Sequence, residues 1–337
     1  MSPNCGQSGL IQNSLEILST ALLYTTAFLG GCNIVGMVFL CLLLTPLWFV
    51  VVLYLGWVFY DWNAPERGGH QFGSDFIRQL ALFRYIRDYY PISIEKTSDL
   101  DPNKNYIFGY HPHGYVAEGA VVGLISDACG FRELFPGITT HMAVHSFPIK
   151  ALLHREILMS LGFVNASRES LECILTQLGP GHSAVLVVGG AAELQHVRQG
   201  TYVVPLNNRK GFIRLALETG SPLVPVVAYG QNDVLHQLGN SVGSPWWRFN
   251  GWMGDVSKKY LGFSTRFGLI HGRFLLMPYR IPIHVVVGQP INVLMTAQPS
   301  KQEIDSLHAL YLNKLRELFN SHKGKYNVPK ETELIYL

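Results

Sequence analysis

Read for hydrophobic and polar positions alone, the chain falls into two unlike parts that meet near Asp61. From Ile17 to Tyr60 there is no Asp, Glu, Lys, Arg or His. Wound as helix, that run of roughly 44 residues is about 66 Å long. The hydrocarbon core of a bilayer is about 30 Å thick. One straight helix cannot use the run, but two joined by a tight turn can. Gly30-Gly31-Cys32-Asn33 and Thr45-Pro46 are candidate turns. The second is preferred, because the residue before a proline is pushed out of the helical region. This predicts a hydrophobic helical hairpin with arms at 18–40 and 46–60. The second arm is short, which suits a re-entrant hairpin better than a full crossing. Trp48, Tyr54, Trp57, Tyr60 and Trp62 supply aromatics of the kind found at membrane interfaces.

After Asp61, short apolar runs alternate with stretches of helical period. Strands are predicted at 106–110, 184–188, 223–228 and 284–287, and helices at 116–128, 150–161, 168–178, 211–218 and 304–319. Gly189-Gly190 bounds the clearest strand, and Gly220 stops a helix. Strands alternating with helices predict an α/β domain with a mostly parallel sheet and flanking helices. Residues 231–270, rich in Gly, Trp and Ser, are poorly periodic and are left as loops and short helices.

Composition strengthens the membrane reading. Hydrophobic residues make up 48% and charged residues 15%, against about a quarter charged in soluble domains; the mean hydropathy is +0.18. The net charge of +3 comes without a long Lys/Arg stripe interleaved with aromatics, so nucleic acid is not expected as a partner. Weak attraction to anionic headgroups fits this charge. Five irregularly spaced cysteines without a C-x-x-C argue against a disulfide framework or a cysteine zinc site. The N-terminal run lacks a basic n-region and exceeds an h-region, so a cleaved signal peptide is not expected. Residues 1–66 hold no Lys or Arg, and Arg67, Arg78, Arg84, Arg87 and Lys96 follow. The positive-inside rule then puts the C-terminal part in the cytosol. The predicted organisation is a cytosolic tail at 1–16, a membrane hairpin at 17–60 and a cytosolic, membrane-associated domain at 61–337. The sequon Asn165-Ala166-Ser167 would stay bare there.

The candidate chemistry lies at strand ends. His111-Pro112-His113-Gly114 follows a strand, where parallel α/β sheets bind ligands. A histidine there titrates near neutrality and suits general base work. The bland alternative is a turn shaped by Pro and Gly, with the histidines as polar filler. Gly189-Gly190-Ala191-Ala192-Glu193 follows the strongest strand. If the two strands are neighbours, Glu193 lies at the same sheet edge as His113, where a carboxylate can orient a histidine and stabilise its imidazolium. Arg209-Lys210-Gly211-Phe212-Ile213-Arg214 opens a helix with clustered cations. That suits a phosphorylated substrate, although a solvated helix start reads as easily.

With these motifs in hand, the chain resembles the type-2 diacylglycerol and monoacylglycerol acyltransferase family, which also includes wax-alcohol acyltransferases. The resemblance runs over nearly the whole chain. It includes Phe59-Tyr60-Asp61-Trp62, Tyr89-Tyr90-Pro91, Asn105 to Tyr110, the histidine motif, Phe135-Pro136-Gly137-Ile138 and Gly189 to Glu193. It continues through Arg209-Lys210-Gly211-Phe212, Leu223-Val224-Pro225-Val226, His271-Gly272-Arg273, Val287 to Ile291 and His322-Lys323-Gly324-Lys325. The histidine motif followed by Gly-Gly-x-x-Glu is specific, whereas either alone is weak. The resemblance implies a glycerolipid-acyltransferase-like fold and transfer of an acyl group from acyl-CoA, as substrate rather than cofactor, to the hydroxyl of a neutral lipid. His113 would take the hydroxyl proton and Glu193 would orient His113. Arg209, Lys210 and Arg214 would neutralise CoA phosphates. Backbone N–H groups near Gly114, with the loop at Gly189 and Gly190, would face the oxyanion. His111 would shape the site or bond the thioester oxygen. No bound metal or cofactor is implied. The membrane of the endoplasmic reticulum and the lipid-droplet surface are the implied locations, and self-association is left open.

The chain departs from the family pattern at two places. Glu118 stands where family members carry an apolar or small residue. It gives the His-x-x-x-x-acid spacing of the glycerophosphate acyltransferases, so Glu118 competes with Glu193 as the partner of His113. Tyr229-Gly230-Gln231-Asn232-Asp233 replaces Phe-Gly-Glu-Asn, which bears on the acceptor contacts. Phe108-Gly109-Tyr110 and the Glu193 motif look closest to diacylglycerol enzymes. Tyr90 to Ser93 and Leu100-Asp101-Pro102 look closer to monoacylglycerol ones. Diacylglycerol is favoured, ahead of monoacylglycerol or a long-chain alcohol. Three rivals remain. A metal-dependent hydrolase would use His111, His113, His141 and His145, and a serine hydrolase would use Gly239-Asn240-Ser241-Val242-Gly243. The third is a membrane scaffold without catalysis, which needs neither His113 nor Glu193.

Overall fold

The computed structural model describes residues 5–29, 32–69, 74–238, 244–261, 269–273 and 277–337. Eleven strands form three sheets among the described residues. In chain order they are β1 (Ser93–Lys96), β2 (Ile107–His111), β3 (Thr139–Val144), β4 (Phe163–Asn165), β5 (His182–Leu186), β6 (Tyr202–Val204), β7 (Leu223–Tyr229), β8 (His236–Leu238), β9 (Leu269–His271), β10 (His284–Val287) and β11 (Leu334–Tyr336). Seven strands make the central sheet in the order β1-β10-β7-β2-β5-β3-β4. Every neighbouring pair is parallel except β10 with β7. The expected α/β architecture with a mostly parallel sheet is therefore what the chain forms. Two small pairs, β6 with β11 and β8 with β9, lie outside it.

The middle strands are continuous apolar runs because both faces are covered. Along β7, Val224, Val226 and Ala228 face one apolar layer, and Leu223, Val227 and Tyr229 face the other. Phe108 and Tyr110 of β2 go with the first layer and Ile107 with the second. This is the period of two that a strand imposes. The helices Arg168–Thr176, Gly211–Thr219 and Lys301–His322 cover the second face, packing Ile174, Ile213, Leu315 and Phe319 onto it. Ser300 and Glu303 close a capping box at the start of the longest of these helices, and Gly220 ends Gly211–Thr219 in the left-handed conformation.

Some expectations need correction. The stretch 116–128 is not a long helix; beyond the histidines the chain turns and winds only a short, wide π-type helix at Ala120–Ile125. The stretch 150–161 divides into Ser146–Lys150 and His154–Ser160. Within 231–270, Pro245–Leu261 is a single helix of 17 residues.

The N-terminal region departs most from expectation. It forms three helices: α1 (Cys5–Leu29), α2 (Cys32–Leu43) and α3 (Trp48–Tyr60). The arm expected at 18–40 is thus divided between α1 and α2, at glycines outside the described residues. The turn at Thr45-Pro46 is present between α2 and α3. Among the described residues no helix is long and apolar enough to cross a membrane, so a spanning hairpin is not supported. Helices α2 and α3, of 12 and 13 residues, are about 18–20 Å long, short of a hydrocarbon core. Helix α1 is long enough but interleaves Asn13, Ser14, Glu16, Ser19 and Thr20 with its apolar residues. It runs through the boundary expected between 16 and 17. Glu16, Ser19, Thr20 and Tyr24 are buried, whereas Leu18 and Leu22 on its outer side are 66% and 50% exposed. Arg280 anchors it from the segment before β10, with Nη1 donating to Glu16 Oε2 at 2.8 Å.

Candidate active site

Strands β2 and β5 are direct parallel neighbours, with Ile107 opposite Ala184. The chain leaves both at the same sheet edge, so the His113 and Glu193 loops meet there. Glu193 sits in the short 3-10 helix Gly190–Gln195 and is wholly buried. Its Oε1 accepts the backbone N–H of His113 at 2.5 Å, and its Oε2 lies 3.9 Å from His113 Nε2. The ring itself bonds elsewhere: His113 Nε2 is 2.8 Å from the carbonyl oxygen of Gly190. A carbonyl only accepts, so Nε2 carries the hydrogen. That leaves Nδ1 as the basic nitrogen of the neutral ring. The expected carboxylate–imidazole hydrogen bond is therefore shared out: Gly190 sets the tautomer, and Glu193 holds the loop and places its charge beside the ring. Glu193 Oε2 has no hydrogen-bond partner among the described residues. Burial pushes the Glu193 carboxyl up, while His113 opposes this.

Gly189 is what lets this carboxylate in. A Cβ at that position would lie 2.0 Å from Glu193 Oε2 and 2.9 Å from Glu193 Cβ. The Gly-Gly pair thus has two separable uses, space for the carboxylate from Gly189 and an accepting carbonyl from Gly190.

His113 opens onto a cavity of about 1400 Å³. Its walls include Ala27 of α1, Tyr115, Val116, Phe147 and Leu186, together with Arg209, Lys210 and Arg214. The cations expected to meet phosphates therefore share one cavity with the histidine. Lys210 is held by Asp305 at 2.7 Å. Arg168, which the sequence did not single out, joins them and pairs with Glu172 and Glu218. The walls are largely apolar, with four Lys and Arg side chains among them.

The remaining candidates are placed differently. His111 is buried and absent from the cavity wall; its Nε2 is 2.9 Å from the hydroxyl of Tyr311. Burial, with a smaller contribution from His113, lowers its pKa to about 3, so the ring stays neutral. His111 therefore lies behind the cavity lining, tied to Tyr311. Gly114 is buried, with φ +62°, and does not line the cavity. Glu118 is also fully buried; its carboxylate accepts from the Tyr24 hydroxyl and the Gln231 amide, not from His113. Tyr311 and the bonding role of Gln231 escaped sequence reasoning. A tyrosine in the otherwise mostly aliphatic stripe Ile304, Leu315, Leu318 was the available signal for the first.

The other histidines do not converge. His141 stacks on His182, with their nitrogens 3.0 Å apart, and His145 caps Ser146–Lys150 by accepting the N–H of Phe147. Among the described residues no three His, Cys, Asp or Glu side chains are grouped as metal ligands. The Gly239 to Gly243 motif lies outside the described residues. Asn165 is buried, its amide engaged by Glu66.

A family model described as diacylglycerol acyltransferase matches residues 40–336, which takes in every one of these site residues except the α1 contributions. The chain is a member of the diacylglycerol acyltransferase family. Among similar proteins of this family, 2-acylglycerol O-acyltransferase 1 of Bos taurus is 40% identical over 296 residues, 86% of each chain. Diacylglycerol O-acyltransferase 2 of Homo sapiens is 38% identical over 335 residues, 96% of this chain and 83% of that one. The solved 1-acyl-sn-glycerophosphate acyltransferase of Thermotoga maritima aligns over 91% of this chain and 97% of its own, with a TM-score of 0.42 and 12% identity.

Proposed function

We propose that this diacylglycerol acyltransferase family member is an acyl-CoA-dependent acylglycerol O-acyltransferase with His113 as general base. The observation that carries the reading is that His113 and the cations Arg209, Lys210 and Arg214 line the same cavity. The acceptor hydroxyl gives its proton to His113 Nδ1 as its oxygen attacks the thioester carbonyl. A tetrahedral oxyanion forms, the C–S bond breaks, and the CoA sulfur leaves with the electron pair. With thiols near pKa 8.5, the sulfur leaves as thiolate or takes the proton back from the imidazolium. Arg209, Lys210 and Arg214 hold the phosphorylated end. Glu193 offsets the positive charge that develops on the ring. The volume exceeds the roughly 300–1,000 Å³ of pockets for drug-sized ligands, leaving room for an acyl chain and a lipid acceptor together. Diacylglycerol is the favoured acceptor and monoacylglycerol the second.

The N-terminal helices seat this cavity on the membrane of the endoplasmic reticulum or on a lipid-droplet surface. Leu18 and Leu22 of α1, Leu40 and Leu43 of α2 and Val52, Leu53 and Phe59 of α3 are exposed. These helices insert into the outer part of the membrane through those apolar side chains. The test is an assay in detergent with labelled acyl-CoA and diacylglycerol, monoacylglycerol or a long-chain alcohol, read by lipid chromatography. Triacylglycerol is expected to dominate, and His113→Ala to abolish it. Wax ester as the main product, or turnover by His113→Ala, would overturn the reading. Arg209→Ala with Arg214→Ala is expected to raise KM for acyl-CoA about tenfold or more, the scale of losing charge-assisted bonds.

A further inference from the structure

The loop from His111 to Gly119 carries the proposed base, yet Glu118 within it belongs to a different constellation. Glu118 is fully buried and does not line the cavity. One oxygen accepts from the hydroxyl of Tyr24 on α1, the other from the side-chain amide of Gln231, just beyond β7. Gln231 is equally buried, and its Oε1 accepts twice, from the Tyr110 hydroxyl at 2.8 Å and from the backbone N–H of Gly119 at 3.0 Å. Gly114, the residue after His113, rests directly on Gln231. A Cβ there would lie 2.8 Å from the Gln231 carbonyl oxygen and 2.9 Å from its Nε2. Gln231 thus underlies the loop at both ends, and Glu118 fixes which way its amide faces. The same carboxylate reaches Tyr24, one helical turn before Ala27, which forms cavity wall.

We propose that Glu118 is a positioning residue for acyl transfer: with Gln231 it locks the His113 loop, and through Tyr24 it makes α1 a working part of the active centre. The proposal rests on the reading of His113 as the base. The donors and acceptors of this cluster call for one carboxylate and one amide at positions 118 and 231. Position 118 must accept from Tyr24 and bond its neighbour, and position 231 must accept from Tyr110 and Gly119. One carboxylate and one amide meet all these demands, in either order. With the two side chains exchanged, the carboxylate at 231 accepts from Tyr110, from Gly119 and from the amide at 118, whose carbonyl oxygen accepts from Tyr24. Two amides either set donor against donor or force the Tyr24 hydroxyl to turn from donor to acceptor, and two carboxylates set acceptor against acceptor.

The test compares Glu118→Gln, Gln231→Glu, the Glu118→Gln/Gln231→Glu double variant and Tyr24→Phe in the full chain, by kcat, by KM for acyl-CoA and by melting temperature. Each single variant strands a buried polar group. It is expected to lose about 10-fold or more in kcat, with KM changing less than about threefold. The double variant is expected to regain kcat to within about threefold of the unaltered chain. Full kcat in Glu118→Gln and in Tyr24→Phe would overturn the proposal. So would a double variant that recovers its melting temperature but not its turnover, since the carboxylate would then be needed at 118 itself. Loss confined to KM would make Glu118 a binding determinant instead, which also overturns it. If Glu118→Gln fails to fold, Tyr24→Phe, which only removes one hydroxyl, decides the matter alone. His113→Gln is measured in parallel: turnover by that variant rejects the His113 reading, irrespective of how the Glu118 variants behave.

Discussion

Replacing Glu193 with glutamine isolates the electrostatic half of its role. Glutamine keeps an acceptor for the backbone N–H of His113, so the 2.5 Å bond that holds the loop survives in kind. What disappears is the negative charge 3.9 Å from His113 Nε2. At an effective dielectric near 20, unit charges about 4 Å apart attract by roughly 4 kcal/mol. Proton transfer is partial in the transition state, so about half of that, roughly 2 kcal/mol, is realised there, or about 30-fold in kcat. The assay is initial-rate turnover of labelled acyl-CoA in detergent at saturating acceptor, with a melting curve on the same sample. A kcat within about threefold of the unaltered chain at unchanged melting temperature would refute the reasoning. Glu193 would then be a loop anchor whose charge does not act on the ring.

Gly189→Ala should reproduce much of that loss from outside the charge, because the new methyl would lie 2.0 Å from Glu193 Oε2. Forcing the turn apart should also cost about 1–3 kcal/mol of stability, readable in denaturant unfolding. Tyr311→Phe leaves His111 Nε2 unpaired in a dry site; stability should fall by about 1–3 kcal/mol while KM for acyl-CoA stays unchanged. Stability should also respond to pH through Glu118, whose carboxyl burial pushes up to about 7 from the ordinary 4.5. Between about pH 4.5 and 7 the folded chain holds a proton there that the unfolded chain releases, and above that range the carboxylate accepts from Tyr24 and Gln231. This group's contribution is therefore complete below about pH 4.5 and declines as pH rises towards 7. Denaturation midpoints at pH 5 and 7.5 should show that decline, and Glu118→Gln should flatten it.

The central strands and the meeting of the His113 and Glu193 loops were legible for a physical reason. Strands buried on both faces must be apolar runs, and β2, β5, β7 and β10 read directly as such. Adjacency of β2 and β5 then made the meeting of His113 and Glu193 a consequence of topology. What the sequence hid was orientation. The same carboxylate that sits near a ring can bond its backbone instead, and no spacing distinguishes the two. Charge counting misjudged the N-terminal region, because it cannot tell that Glu16, Ser19, Thr20 and Tyr24 share one buried side of α1. Gln231 and Tyr311 come from 121 and 200 residues away from their partners Tyr110 and His111, so nothing local marks them.

The position of β10 bears on how the protein comes off the ribosome. In the central sheet β1 touches only β10, and Ser93 and His284, which face each other, are 191 residues apart. During synthesis β1 is therefore an orphan strand for most of the time the core is emerging, and β7 is an open sheet edge from its own synthesis until β10 follows. Unpaired edges of this kind template wrong pairings, and late, long-range closure is slow. The nascent chain would be most vulnerable to aggregation just before residues 284–287 clear the exit tunnel, when the His113 and Glu193 loops are already together but the sheet that carries them is unfinished.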